Sequence, residues 1–376
     1  MTILPLLPIS TSMMKGIVKL PQRSRGTSKA PSVYVGLWDL WTKRSDVDEL
    51  DVDWDHVISA VQKDPGLARF SDEERRGMLL LHLVCALNPP LRAVEIALQA
   101  NPLAPTKQSH TGLTPMHIAC GRNASRKVIQ LLLTEDPKSI ERTDHNGQTA
   151  LDYTTRPDVD AEILHILLMF NPRLARHKSK SYAFSPQDMS ALERLCKTRD
   201  SIDSTSPRWN RNQWTKITYL LWASHYGTLV ARNGQTFSTL HAALARNCPA
   251  DVLEVAFHLH GSDACGVRDI HGNVPLHYAM RATAANDKLI RTMLEIFPLA
   301  ASTRDSRGNL AFFEGLKHGK GWFGGLQHVV KEYPVVVAGV DPDSGLPAAL
   351  LAAQFSDLET IFILLRGYPQ VILSGL

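Results

Sequence analysis

The sequence contains little of what marks a disulfide-linked, metal-binding or membrane-spanning protein. Its 376 residues include only five cysteines, an odd number, with no C-x-x-C pair and no cysteine–histidine pair at zinc spacing. We therefore expect free thiols in a reducing, cytoplasmic setting, with neither a metal nor a cofactor. No run of about 18 apolar residues occurs, which argues against a membrane-spanning helix. The net charge of +4 is small for this length and gives no general reason to expect nucleic-acid binding.

Acidic residues are absent from the first 38 positions, which instead carry five lysines and arginines and many Ser, Thr and Pro residues. This composition predicts a disordered basic tail over residues 1–38. An organelle transit peptide is the alternative, because such peptides are also basic and poor in acids. The rest of the chain, 39–376, is predicted to be a single repeat array.

A short stretch at residues 112–120, GLTPMHIAC, recurs along that array. Its histidine, His117, has counterparts at intervals of 35 to 37 residues, apart from one gap of 89. The counterparts are His82, Asp152, His241, His277, Phe313 and Leu350. A set of prolines keeps the same spacing: Pro65, Pro102, Pro137, Pro172, Pro298, Pro334 and Pro369. Two independent markers in one register predict a solenoid of stacked repeats.

The gap of 89 residues indicates one repeat with an insertion. The polar segment 198–212 is the expected inserted loop, and 214–227 supplies the second helix of this repeat. The spacing predicts eight repeats from about residue 77. A leading half-unit precedes them, whose helix carries Trp54, Val57, Ile58 and Val61 at helical spacing.

Each unit is predicted to form a turn, a short helix, a loop and a longer helix. Gly112 allows the positive φ of a tight turn, and Thr114 offers a hydroxyl to cap the first helix. Pro115 takes the first helical position, where its missing N–H would have no partner anyway. A helix pair this short cannot bury its apolar face alone, so neighbouring pairs must stack. The residues expected to build this motif are Gly112, Thr114, Pro115, His117, Gly147, Thr149, His241, Gly272, Pro275 and His277.

These units resemble those of ankyrin-repeat proteins. The family signature G-x-T-P-L-H-x-A is matched closely at residues 112–119 and 272–279, and the resemblance covers roughly residues 54–376. The period of 35 to 37 exceeds the usual 33, so each turn is expected to be slightly long. The resemblance implies an all-α ankyrin-repeat solenoid that is not an enzyme. It also implies a scaffold or adaptor that binds a partner protein along its concave face, with no small-molecule substrate.

The resemblance further implies which residues meet the partner, because in this family the turn tips and first helices line the concave face. Carried over to this sequence, the tip residues are Gln108, Ser109, His110, Asp144, His145, Asn146, Arg176, Lys178, Lys180, Asp269, His271, Asp305 and Arg307. Trp209 is a further candidate contact, since a large aromatic ring in a polar loop either folds back on the repeats or binds a partner. The register histidines are implied to be structural, each bonded within its own turn.

Two other functions stay open at this point. An enzyme or enzyme subunit would use the insertion and Cys196, which would need a neighbouring base. A nucleic-acid-binding module would use residues 173–216, which hold ten Lys/Arg against four Asp/Glu; the same segment would otherwise steer an acidic partner. The chain also ends without a polar capping helix, which predicts either a fragment or a last helix covered by a partner.

Overall fold

The structure is a computed structural model that describes residues 31–42, 52–72, 75–179, 188–197, 211–229 and 238–368. These ranges contain the helices α1 (Ser32–Thr42), α2 (Trp54–Lys63), α3 (Leu80–Ala86), α4 (Leu91–Ala100), α5 (Pro115–Gly121), α6 (Arg126–Glu135), α7 (Ala150–Tyr153), α8 (Ala161–Phe170), α9 (Ala191–Lys197), α10 (Arg211–Tyr226), α11 (Thr239–Ala245), α12 (Ala250–Cys265), α13 (Pro275–Arg281), α14 (Asp287–Ile296), α15 (Ala311–Lys317), α16 (Leu326–Glu332), α17 (Ala348–Phe355) and α18 (Leu358–Gly367). Two short antiparallel ladders pair β1 (Ser71–Asp72) with β2 (Met78–Leu79) and β3 (Lys178–Ser179) with β4 (Met189–Ser190). None of the helices in these ranges is long and apolar enough to cross a membrane.

The chain divides into two compact units, and the boundary passes through α9 and α10. The first unit comprises Met1–Leu195 and Asn210–Gln213, and the second comprises Cys196–Trp209 and Trp214–Leu376. The organisation of residues 39–376 as one array stays a prediction.

Helices form two layers within each unit. In the first unit the inner helices α1, α3, α5 and α7 contact one another in chain order, as do the outer helices α2, α4, α6 and α8. In the second unit the inner helices α11, α13, α15 and α17 and the outer helices α12, α14 and α16 do the same. Helices of seven to ten residues are marginal alone in water, so their stability comes from this stacking. The predicted all-α ankyrin solenoid is thus confirmed as the fold class, on the evidence of each unit taken by itself.

One hairpin shows how the local sequence produces this arrangement. The hydroxyl of Thr114 accepts a hydrogen bond from the backbone N–H of His117, and all seven residues of α5 are buried. In α6 the buried side chains recur at helical spacing and face the core, namely Val128, Ile129, Leu132 and Leu133. The helix ends at Glu135 because Asp136, the capping residue, precedes a proline, and Pro137 opens a short 3-10 helix, Pro137–Ile140.

The first unit begins with both an inner helix, α1, and an outer helix, α2, so the prediction of a leading half-unit is wrong. Helix α1 packs on α3 and α2 packs on α4, as the inner and outer helices of every later hairpin in this unit do. The phenol of Tyr34 donates a 2.7 Å hydrogen bond to the carbonyl of Met78, just before α3. The sequence missed α1 because it has neither a turn glycine nor a register histidine.

The predicted boundaries of the tail and of the insertion also need correction. Residues 32–38 belong to α1, so a disordered tail reaching residue 38 disagrees with the structure, while residues 1–30 lie outside the described residues. Helix α10 begins at Arg211, so the last two residues of the predicted loop 198–212 are helical. Residues 198–210, including Trp209, lie outside the described residues, as does Lys180.

Glycine is required in the turns between hairpins. Gly112 has a φ of +79°, and a Cβ built on it would lie 2.7 Å from the backbone nitrogen of His145 in the next turn. That nitrogen donates a 3.1 Å hydrogen bond to the carbonyl of Thr111. Gly147 has a similar φ of +72°, but a Cβ there would meet nothing within 4 Å. Substitutions at the two positions therefore separate the cost of a left-handed backbone conformation from the cost of a clash with the next turn.

We expect Gly112→Ala to lower the free energy of unfolding of the first unit by about 3 kcal/mol, and Gly147→Ala by about 1 kcal/mol. Both variants strain a left-handed residue, but only the first also displaces the neighbouring turn. Urea unfolding followed by circular dichroism would measure both. Equal losses in the two variants would show that the close approach of the turns has no energetic consequence.

Candidate protein-binding surface

The turns between hairpins end in four-residue tips, at 109–112, 144–147, 269–272 and 305–308. The side chain of the first residue of each tip accepts hydrogen bonds from backbone N–H groups of the same turn. The Asp144 carboxylate accepts hydrogen bonds from the backbone N–H groups of Asn146 (2.8 Å) and Gln148 (2.9 Å). Asp269 and Asp305 accept the same pair of bonds in their own tips, and the hydroxyl of Ser109 does so in the first one. These four side chains fix the shape of the tips, and Ser109 and Asp144 are buried.

At least one of the next two residues of each tip is exposed. His110, His145, His271 and Arg307 are all exposed, and Ile270 is 73% exposed. Their backbones also join successive tips, since the N–H of His110 donates to the carbonyl of Arg76 at 2.8 Å. Asp–Gly-type turns would ordinarily be mobile loops, but here each tip is bonded to its neighbour. The exposed side chains therefore stand on a fixed backbone.

The other predicted tip residues are less uniform. Gln108 is exposed, and its amide spans two tips, while Asn146 is half-buried and its side chain donates to Asp144 at 3.4 Å. Arg176 and Lys178 are exposed in the first unit, and the Lys178 ammonium lies 3.9 Å from a carboxylate oxygen of Glu193. The predicted tip set thus mixes residues that hold the turns with residues that face solvent.

The register histidines connect one hairpin to the next rather than closing their own turn alone. Nε2 of His117 lies 3.1 Å from the carbonyl oxygen of Gln148, just before α7, and Nε2 of His277 lies 3.2 Å from that of Asn309, just before α15. His82 and His241 make the same contact in their own units at 3.1 Å. A carbonyl oxygen only accepts, so Nε2 must carry the proton.

The imidazoles are held neutral by their surroundings. Burial lowers the pKa of His82 to about 4. Burial also lowers the pKa of the other three, although the hydrogen bond to the next carbonyl acts in the opposite direction. In three of the four, Nδ1 faces the backbone N–H at the start of its own helix, from Leu79, Thr114 and Val274. That contact needs an unprotonated nitrogen, which agrees with the lowered pKa.

Asp152 replaces histidine in one repeat and reverses the polarity of the contact. A carboxylate accepts where an imidazole donates, and the following repeat supplies donors instead of a carbonyl. The hydroxyl of Ser179 donates to Asp152 at 3.3 Å, and Nε of Arg194 lies 3.7 Å from its other oxygen. Burial nevertheless raises the pKa of Asp152, and its bonds to Thr149 and the charge of Arg194 oppose that rise.

Two tyrosines on the inner helices were missed by sequence reasoning. The phenol of Tyr153 donates to Asp144 at 2.7 Å, and that of Tyr278 donates to Asp269 at 2.6 Å. Each tyrosine directly follows the register position and lies nine residues after its aspartate. This repeated Asp–Tyr spacing was the available signal, and it ties the inner helix to its own tip.

A charged cluster lies between the last two turns of the second unit. The Lys317 ammonium contacts carboxylate oxygens of Glu314 at 3.2 Å, Asp341 at 2.9 Å and Asp343 at 2.9 Å. Arg281 completes the cluster through Glu314 at 2.7 Å. Burial acts to lower the pKa of Lys317, but its bonds to Asp341 and Asp343 prevail and raise it. The cluster joins the two inner helices α13 and α15 to the turn before α17 by charge.

Reactive side chains are scarce in the described ranges. Burial raises the pKa of the Cys85 thiol to about 12 and raises that of Cys120 as well, so neither is a ready nucleophile at neutral pH. Cys196 is half-buried on α9. Among the described residues, no group of three or more His, Cys, Asp or Glu side chains is placed to hold a metal ion.

We expect stability to fall as the pH drops from about 6.5 to about 4, because the unfolded chain binds protons at these imidazoles while the folded chain does not. For His82 alone the loss is on the order of 3 kcal/mol, from a shift of the pKa from 6.5 to about 4. Urea midpoints measured at several pH values would show this slope. His82→Gln keeps a donor but removes the titration, so its slope should be shallower; an unchanged slope would contradict the role of His82.

Comparison with known proteins agrees with this geometry. A family model described as Ankyrin repeat matches residues 111–145, and no curated protein matches the chain. Chains of solved structures do match, 159 of them. One is the ankyrin repeat domain of Bcl-3, described as a unique member of the IkappaB protein family, with 17% identity over 68% of this chain and 97% of that chain and a TM-score of 0.34. At this level of similarity the neighbour says nothing of the partners of this chain. The chain therefore contains an ankyrin repeat at 111–145, and hairpins of the same arrangement recur in both units.

Proposed function

We propose that the chain is a non-enzymatic scaffold or adaptor that binds a partner protein through its turn tips and the adjoining inner helices. Ankyrin repeats are in general protein–protein interaction modules. The proposal rests on the different roles of the residues within each tip. The first residue is bonded inside the turn, and the following residues, such as His145 and His271, are exposed.

Fixed tips suit protein binding for a thermodynamic reason. Ordering a mobile loop at an interface costs conformational entropy, which weakens association. Here the backbone of each tip is already bonded to the neighbouring tip, through contacts such as His145 N–H to Thr111 and Ser306 N–H to His271. A partner would therefore meet side chains whose positions are set before binding.

Partner recovery should depend on the outward tip residues and not on the outer helices. We expect His110→Ala/His145→Ala, or His271→Ala/Arg307→Ala, to reduce recovery of a purified partner by about tenfold, since a few central residues usually dominate an interface. Affinity purification with the full chain, with the partner identified by mass spectrometry, measures this. Testing the pairs separately shows which unit makes the contact.

The matched control is Lys127→Ala/Gln130→Ala, which alters two exposed residues of the outer helix α6. Its recovery should equal that of the unaltered chain. Urea midpoints of all variants must agree, because the altered side chains leave the turn carboxylates Asp144 and Asp269 untouched. Full recovery by both tip variants would rule out the tips as the binding surface.

A further inference from the structure

Two exposed arginines of the second unit, Arg268 and Arg304, precede consecutive tips, and their hydrogen bonds within the described ranges go to backbone carbonyls. Nη1 of Arg268 donates to the carbonyl of Arg304 in the next turn at 3.1 Å. Nη1 of Arg304 donates to the carbonyl of Gly308 in its own turn at 2.8 Å. Within the described residues neither guanidinium has a carboxylate at ion-pair distance. A carbonyl holds a guanidinium in place without neutralising its charge, and each group has further N–H donors to offer.

The fold does not need charge at this position. Gln108 holds the same place before the first-unit tip at 109–112 and makes both bonds with a neutral amide. Its Nε2 donates to the carbonyl of Gly112 at 2.9 Å and to that of Thr143, in the next turn, at 3.0 Å. Glutamine therefore suffices for the contacts that Arg268 and Arg304 make. The positive charge of these arginines is surplus to the turn and remains available to a ligand.

The nearby carboxylates are engaged elsewhere. Asp269 accepts bonds from two backbone N–H groups and from the phenol of Tyr278, and Asp305 accepts from the N–H groups of Arg307 and Asn309. Asp343, in the next turn, is bonded to Lys317 and Asn309, and its pKa is lowered by these bonds and by the charge of Arg307. Asp269 and Asp305 therefore bond into their own turns, and the exposed Asp343 is paired with Lys317, while the two guanidinium groups are exposed.

Apolar side chains lie beside the two arginines. Ile270, in the tip that follows Arg268, is 73% exposed, and Val340, which holds the arginine position in the last turn, is 50% exposed. Apolar contact area at the centre of an interface supplies affinity, while charges around it supply specificity and a faster encounter. The combination differs from the first unit, where the same positions carry Gln108, His110 and Thr143.

We propose that the surface formed by Arg268, Ile270 and Arg304 binds an acidic peptide segment of the partner protein. The proposal rests on the protein-binding function above and names the chemistry of the partner. Each guanidinium would take one carboxylate in the two-pronged geometry that arginine favours, and Ile270 would contact an apolar side chain between them. Neighbouring repeats lie about 10 Å apart, so the two acids should be about three residues apart in an extended segment.

Selection from a random peptide library tests this without knowledge of the natural partner. The full chain serves as bait for displayed 12-residue peptides, and Arg268→Gln/Arg304→Gln serves as the counter-bait because glutamine preserves the turn bonds. We expect selected peptides to be enriched in Asp and Glu about threefold over the input library, with an apolar residue between two acids. The counter-bait should show no acidic enrichment.

Fluorescence anisotropy with the best selected peptide measures how much the two arginines contribute to affinity. The double variant should bind about fivefold more weakly, since exposed ion pairs each contribute modestly, and higher salt should reduce the difference. Arg291→Gln removes the same type of charge from the outer helix α14 and should change the affinity less than about twofold. A peptide with Gln in place of its acids should lose binding to the unaltered chain.

Each other outcome overturns the inference in a distinct way. Selected peptides without acidic enrichment would leave the protein-binding function standing and remove the acidic partner. A phosphoserine version of the peptide binding more than about tenfold tighter, or a single-stranded oligonucleotide of equal charge binding as tightly, would replace the carboxylate ligand by a phosphate one. Failure to select any peptide with either bait would contradict the proposed peptide ligand. If the tip variants nevertheless reduced partner recovery, the protein-binding function would stand without a role for the two arginines.

Discussion

One hydrogen bond, from an inner helix to the carbonyl just before the next inner helix, recurs at five of the repeat boundaries in the two units. The donor is a phenol in Tyr34 and an imidazole in His82, His117, His241 and His277. The donors are buried, and the carbonyl always belongs to the next turn, so the bond sets the register between neighbours. Because a carbonyl only accepts, the imidazole must stay neutral, and burial lowers its pKa in the required direction.

Where this donor is replaced, the neighbouring repeat changes with it. Asp152 accepts a hydrogen bond from Ser179 of the next repeat, and Nε of Arg194 lies 3.7 Å from its other carboxylate oxygen. Phe313 offers no polar atom and is buried, and a Cβ built on Gly339 of the following turn would lie 3.3 Å from its ring. The residue at the register position and the residue that it meets in the next repeat therefore differ as a pair, because a buried polar group needs a hydrogen-bond partner and a buried ring needs space.

The same bonding also explains how a stable turn can present a binding surface. Each tip aspartate is held by its own backbone, and in two repeats a tyrosine of the inner helix, Tyr153 or Tyr278, donates to it. The residues that follow are left outside this network and are free to differ between repeats. In the second unit these positions and the one before the tip carry Arg268, Ile270 and Arg304, whose chemistry goes beyond what the turn requires.

The sequence by itself determined the all-α class, the period, and the turn glycines and helix-starting prolines, because positive φ and a missing N–H are local backbone properties. It did not reveal α1, since Tyr34 takes the role of the register histidine without the motif around it. Only the tertiary structure decided which polar residues face solvent. Asp144 and His145 are adjacent and equally polar, yet the turn's N–H groups take up the first and leave the second exposed. That choice depends on where the backbone donors converge in space, which neither composition nor spacing records.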